Sequence, residues 1–257
     1  MSNINNAFKT KSLFAFVMAG DPDLNTTKET IISMAKAGAN MIELGIPFSD
    51  PIAESSVIQS ANLRALKSET YLPCIFEMIA DVRKETNISI IFHTYINPVF
   101  NYGYEKFFKK CAEVNVNGII IPDLPYEEKS EIKEYANKYD VDIISILVPT
   151  DKKRIEMIAK EATGFIYLVP SIGATAVMEG HFNEITEVIE TLRKTTNIPI
   201  AIGFGINTAQ QAEFFSKLAD GIIIGNAIVK IVEKYGKEAP KHAYDYVKEI
   251  RTAIDRV

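Results

Sequence analysis

Met41-Ile42-Glu43-Leu44-Gly45-Ile46-Pro47-Phe48-Ser49-Asp50-Pro51 opens as an apolar run holding one acid and ends as a turn broken by two prolines. The run Met41–Ile46 is too short for a buried helix and too uniformly apolar for a strand with one face in water. It reads as a strand covered on both faces, the mark of a parallel sheet. Alternation puts Glu43 on the face opposite Ile42 and Leu44. If those two pack under helices, Glu43 points to the other side of the sheet. A carboxylate there is costly unless it is paired or protonated.

Similar short runs recur along the chain: Leu13–Met18, Ile88–Tyr95, Gly118–Ile121, Ile143–Val148, Phe165–Val169, Ile198–Ile202 and Gly221–Ile224. Amphipathic segments separate them. Thr26 with Glu29 forms a capping-box pattern, Ile31, Ile32 and Ala35 follow as an apolar stripe, and Gly38 reads as the stop. Asn207 with Gln210 opens another helix, and segments 71–85, 103–114, 127–138, 152–161, 183–195 and 238–255 carry the same period. Eight strands alternating with helices and no linker predict a (β/α)8 TIM barrel, one domain over 1–257 with a short N-terminal helix. A doubly wound sheet is the alternative. It would want a G-x-G-x-x-G turn after the first strand, where this chain has Ala19-Gly20-Asp21-Pro22. The stretch from Pro47 to about Glu69 is surplus to a minimal βα unit, and predicts an elaborate functional loop.

Composition narrows the function. Hydrophobic residues make up 47% and charged residues 24%, which excludes a disordered chain, and two cysteines in 257 residues exclude a disulfide scaffold. A net charge of −5, with Lys and Arg dispersed among acids, argues against a nucleic-acid partner. No apolar run is long enough to span a membrane, Met1–Lys11 lacks a signal-peptide core, and no Cys or His cluster has metal-ligand spacing. The expectation is a cytoplasmic protein with no metal, its cysteines reduced.

In a barrel of this kind the site lies at the C-terminal strand ends. Glu43 is either a proton donor or a structural carboxylate bonded to a neighbouring strand. A carboxyl at a strand end can give or take a proton at a bound substrate. On the loop after strand two, Asp50 either caps or holds the loop, and Glu54 is either exposed charge or a substrate contact. Asp123, between Pro122 and Leu124-Pro125, is a turn residue or a loop partner. Tyr95 and Tyr167 each serve as wall or as hydroxyl donor. His93 could line the barrel, whereas His181 and His242 read as ordinary boundary residues. Gly203-Phe204-Gly205 and Gly225-Asn226-Ala227 close strands seven and eight. Two glycine-bearing loops there, beside a helix start at Ala227–Lys230 and with Gly173 adding a third loop, read either as simple turns or as a phosphate site.

Glu43-Leu44-Gly45-Ile46-Pro47-Phe48-Ser49-Asp50-Pro51, with Gln59-Ser60-Ala61-Asn62-Leu63-Arg64-Ala65, resembles the tryptophan synthase alpha subunit family. Gly20-Asp21-Pro22, Tyr95-Ile96-Asn97-Pro98, Pro122-Asp123-Leu124-Pro125, Gly203-Phe204-Gly205-Ile206 and Gly225–Lys230 extend the resemblance in the family's order over nearly the whole chain. It implies retro-aldol cleavage of a phosphate ester, indole-3-glycerol phosphate, to indole and glyceraldehyde 3-phosphate in L-tryptophan biosynthesis, without a cofactor of its own. By position, Glu43 would protonate the indole ring carbon, Tyr167 would lie near the reacting end, and Phe16, Tyr95, Leu147, Val169 and Phe204 would line the indole pocket. Phe204, Gly205, Gly225 and Asn226, with Gly173, would hold the phosphate. The implied partner is a pyridoxal-phosphate beta subunit, in an alpha2beta2 heterotetramer, which receives indole through a tunnel.

The chain departs from the family in loops two and six. The family has Asp-Gly-Pro where this chain has Glu54-Ser55-Ser56. The family aspartate binds the indole N–H, and Glu54 keeps the charge but reaches one methylene further. The sixth loop, usually Ser-Arg-x-Gly-x-Thr-Gly, is Pro170-Ser171-Ile172-Gly173-Ala174-Thr175-Ala176, in which Thr175 matches the family threonine that contacts the loop-two aspartate. Asn226 replaces a serine, and His93 stands where the family has an apolar pocket residue. Two other readings fit such changes: a free-standing lyase, and a non-catalytic regulatory paralogue.

Overall fold

The structure is a computed structural model and describes residues 4–170, Ala174, Met178, 183–203 and 205–257. Its parallel strands are β1 (Ser12–Met18), β2 (Met41–Gly45), β3 (Ser89–His93), β4 (Gly118–Ile120), β5 (Asp142–Ile143), β6 (Ser145–Leu147), β7 (Ile166–Leu168), β8 (Ile200–Gly203) and β9 (Gly221–Ile224). Their order in the sheet is β5-β4-β3-β2-β1-β9-β8-β7-β6. The two end strands are separated only by Ile144, whose N–H donates to Ile119 O at 2.9 Å. The fifth predicted run therefore pairs with β4 through its first half and with β7 through its second, and the sheet closes into a (β/α)8 barrel.

Side-chain alternation sorts two cores. Ile42, Leu44, Ile90 and Phe92 join the shell between barrel and helices, while Phe14, Met41, Ile91, Ile120, Phe165 and Ile223 fill the barrel interior. Glu43 shares the inward face with Met41. A one-turn helix, α1 (Ile4–Ala7), adds Ile4 and Ala7 to that interior. A Cβ placed on Gly118 or Gly221, the first residues of β4 and β9, would come within 3.1 Å of Ile4 and 3.3 Å of Phe8, so α1 and the residue after it plug the barrel's N-terminal end.

The helices α2 (Leu24–Ala37), α3 (Ser56–Lys67), α4 (Leu72–Val82), α5 (Ile96–Tyr102), α6 (Tyr104–Glu113), α7 (Ser130–Lys138), α8 (Lys152–Glu161), α9 (Asn183–Thr195), α10 (Ala209–Leu218), α11 (Asn226–Tyr235) and α12 (Ala239–Ile254) surround it. Two starts differ from expectation. Asp23, not Thr26, caps α2, accepting from Thr26 N at 2.7 Å, because an aspartate already lies ahead of the apolar stripe. The reciprocal box at α10 is Thr208 with Gln211, one residue later than expected. Gly38 ends α2 as predicted, in the left-handed region at φ 107°. The long insertion after β2 is only partly loop: Ser55 caps α3, which fills most of it.

Candidate active site

A cavity of about 310 Å³ opens at the C-terminal ends of the strands. Each wall comes from a strand end or from the loop that follows it. Phe16 stands on β1, Glu43 on β2, His93 on β3, Ile146 on β6, Tyr167 on β7 and Ile223 on β9. Ala53, Glu54, Ser55 and Ile58 approach from the β2 loop and the start of α3, and Gly205, Asn207, Gly225 and Asn226 form the opposite rim.

Glu43 is 1% exposed. Its Oε1 lies 2.5 Å from His93 Nδ1, while Oε2 is buried without a hydrogen-bond partner. His93 Nε2 approaches Glu54 Oε1 at 3.0 Å, close enough for an ion pair but misaligned for a hydrogen bond. Burial is the largest single influence on the imidazole and pushes its pKa down. Glu54 and Glu43 together outweigh burial and raise it to about 10. Burial, with Glu43 and Glu54 adding to it, drives the Tyr167 phenol well above its ordinary value, so its hydroxyl stays a neutral donor.

The β2 loop is held at several points. Phe48 N donates to Asn62 Oδ1 at 2.9 Å, and Ala53 N donates to Tyr95 Oη at 2.9 Å. Tyr95 also stacks on Phe48, with centroids 5.3 Å apart. Ser55 Oγ donates to Asn226 Oδ1 at 2.9 Å and so joins the loop to the start of α11. Gly225 precedes α11 with no side-chain cap, which leaves the helix's first N–H groups at the cavity rim. Gly205 sits at φ 75°, a conformation that glycine adopts without strain.

Among the expected site residues, the fold brings together Phe16, Glu43, Glu54, Tyr167, Val169, Gly205, Gly225 and Asn226. Two lie elsewhere. Leu147 packs in the shell under the helices, and its neighbour Ile146 takes the wall instead. Alternation along the fifth strand decides this, since adjacent residues cannot share a face. Tyr95 is buried behind the β2 loop as its brace and does not line the cavity. Gly173, Thr175 and Phe204 lie outside the described residues, as do Ser171, Ala176 and His181. Asp50 is exposed and bonded to Ser49, and Asp123 accepts from Ile96 N at 2.9 Å at the start of α5. His242 stacks on Tyr235. Sequence reasoning missed Ile146, Asn207 and the bridging place of His93. The signal for His93 was present: Ile91 and His93 alternate with Ile90 and Phe92, so if the latter face the helices, His93 faces Glu43's side of the sheet.

The family model for the tryptophan synthase alpha chain matches residues 2–255. The tryptophan synthase alpha chain of Lacticaseibacillus casei is 46% identical over 256 residues, covering 99% of this chain and 96% of that protein. Among solved structures, the alpha subunit of Legionella pneumophila superposes with a TM-score of 0.90 at 30% identity, with both chains fully covered. A chain of the tryptophan synthase complex of Pyrococcus furiosus superposes at 0.86 with 30% identity, over 94% of this chain and 98% of that one. A match of this length, on a barrel whose inward acid faces a glycine-capped helix start, leaves one assignment: the chain is a member of the tryptophan synthase alpha chain family.

Proposed function

We propose that Glu43 is the general acid in the cleavage of indole-3-glycerol phosphate to indole and glyceraldehyde 3-phosphate. Protonation of the indole ring carbon that carries the side chain makes the ring a leaving group. The bond to the glycerol carbon then breaks, its electrons return to the ring, and the adjacent hydroxyl loses its proton as the aldehyde forms. Glu43 is suited to both transfers because Oε2 is unengaged beside the cavity. Phe16, Ile146 and Val169 offer apolar surface to the indole, and Tyr167 sets a hydroxyl near the reacting end. Glu54 takes the place of the family aspartate toward the indole N–H. The phosphate end is assigned to Gly205, Gly225, Asn226 and the free N–H groups of α11, where the helix dipole favours an anion.

The observation that carries this reading is an inward carboxylate on β2, 1% exposed, lining one cavity with a helix start that has no side-chain cap. The test is indole release from indole-3-glycerol phosphate by the wild type and by Glu43→Gln, each with and without a beta subunit. The variant is expected to lose about 10²–10⁴-fold in kcat while keeping its fold, the range for a lost general acid. A Glu43→Gln protein within about threefold of wild type would refute the assignment. The family's alpha subunit works with a beta subunit, and stimulation of the wild type on adding that partner is the expected sign of alpha2beta2 assembly. A cytoplasmic location completes the reading: Cys74 and Cys111 are unpaired, and no described helix is long and apolar enough to cross a membrane.

A further inference from the structure

We propose that His93 is a positioning residue for this reaction: its two ring nitrogens hold the acid on β2 and the acid on the β2 loop in one arc, so that seating the loop also orients Glu43. The geometry carries this. Nδ1 engages Oε1 of Glu43 at 2.5 Å and leaves Oε2 buried with no hydrogen-bond partner. Nε2 stands 3.0 Å from Glu54 Oε1. The ring itself is fixed by its strand and by Phe16, which meets it edge-on with centroids 6.0 Å apart.

The arrangement has an electrostatic reason. Glu43 and Glu54 side chains are 2% and 11% exposed, and two carboxylates so placed repel each other in a low-dielectric pocket. A cationic imidazole between them offsets that repulsion. Among the described residues, the titratable groups around His93 are Glu43 from β2, Glu54 from the β2 loop and Tyr167 from β7, while Phe16 from β1 and Ile120, its partner in β4, bring no charge. The bridge also reaches the phosphate end, because Ser55, the residue after Glu54, donates to Asn226. Placement of the loop by a bound phosphate ester would thus be felt at Glu43 through Glu54 and His93.

This inference rests on Glu43 being the acid, and the test separates the two. Indole release is measured across pH for the wild type, Glu43→Gln, His93→Leu and His93→Asn, alongside ¹⁵N spectra of the imidazoles in the wild type and in Glu54→Gln. His93→Leu is expected to lower kcat at least about tenfold with KM within about threefold, since orientation rather than binding is lost. It is also expected to change the pH profile of kcat, because the cation that faces both carboxylates is gone. His93→Asn, which can still donate to one carboxylate, should recover part of kcat. The wild-type spectrum should show His93 doubly protonated at pH 8, and Glu54→Gln should lower the pH at which it loses that proton. A purely structural histidine would change the amount of folded enzyme and leave the pH profile in place. Wild-type kcat and pH profile in His93→Leu, with Glu43→Gln inactive, would overturn the inference alone. A neutral, single-tautomer His93 at pH 8 in the wild type would overturn it even if both His93 variants failed to fold. Turnover by Glu43→Gln would instead refute the acid assignment.

Discussion

Gly203→Ala tests how closely the barrel wall holds the site. Gly203 ends β8, beside Ile223 of β9. A Cβ there would lie 2.7 Å from both Cε2 and Oη of Tyr167 and 2.9 Å from Cβ of Ile223. Ordinary contact begins near 3.4 Å, so the shortfall is 3.4 − 2.7 = 0.7 Å against the tyrosine. The Ile223 Cβ is anchored to its strand and cannot swing aside, which leaves Tyr167 to move. Forcing a methyl into a packed wall costs about 1–3 kcal/mol, and for a barrel of this size that lowers Tm by roughly 2–12 °C. Under the proposed reaction, displacing the Tyr167 hydroxyl from the reacting end should also cut turnover by ~10–100-fold. Urea and thermal unfolding by circular dichroism give the first quantity and indole release gives the second. The cycle with Tyr167→Ala identifies the cause: removing the ring should relieve most of the clash, with a coupling of about 0.5–3 kcal/mol. Additive losses in the double variant, or a Gly203→Ala protein as stable and active as wild type, would show that the wall has slack these distances do not suggest.

Arg64 on α3 makes two 2.8 Å contacts with Asp21, a residue 2% exposed in the loop after β1, so Arg64→Ala strands a buried carboxylate. It should cost about 2–3 kcal/mol in urea unfolding, below the fully buried range because the arginine is partly exposed; Arg64→Ala/Asp21→Asn should recover part of this, and a loss under about 0.5 kcal/mol would count against the pairing. Burial pushes the Lys129 ammonium down to about 8 while its Nζ donates to Ser145 Oγ at 2.7 Å. The unfolded chain then binds this proton more tightly than the folded one, so this residue makes stability rise with pH between about 8 and 10.5. Lys129→Met should abolish that rise, and parallel stability curves for the two proteins over this window would contradict the account.

Much of the fold was readable because two-sided burial leaves a local trace. Ile42, Leu44, Ile90 and Phe92 are apolar for the shell, and Met41 and Ile91 are apolar for the interior. The eight runs therefore announced a parallel sheet, and Glu43 could be placed on the face opposite Ile42 and Leu44 from its neighbours alone. Helix ends were readable where one residue does the work, as at Gly38, and less so where several candidates compete, as at Asp23 and Thr26. The helix α3 was hidden because its N-cap follows a proline-broken stretch that reads as loop.

Sequence by itself determined the barrel, the inward acid and the glycine-bearing rim, since each follows from periodicity or from backbone freedom within a few residues. Only the tertiary structure decided which residues meet. Leu147 or Ile146 in the wall depended on where the fifth strand splits between its two neighbours. Tyr95 became a brace because the loop crossing it offered Ala53 N to its hydroxyl. The joining of Glu43, His93 and Glu54 depended on three segments arriving at one point, with Glu43 and His93 50 positions apart in the chain. Periodicity reports the face on which a side chain lies; the distance between two faces is set by closure of the barrel and by the path of its loops.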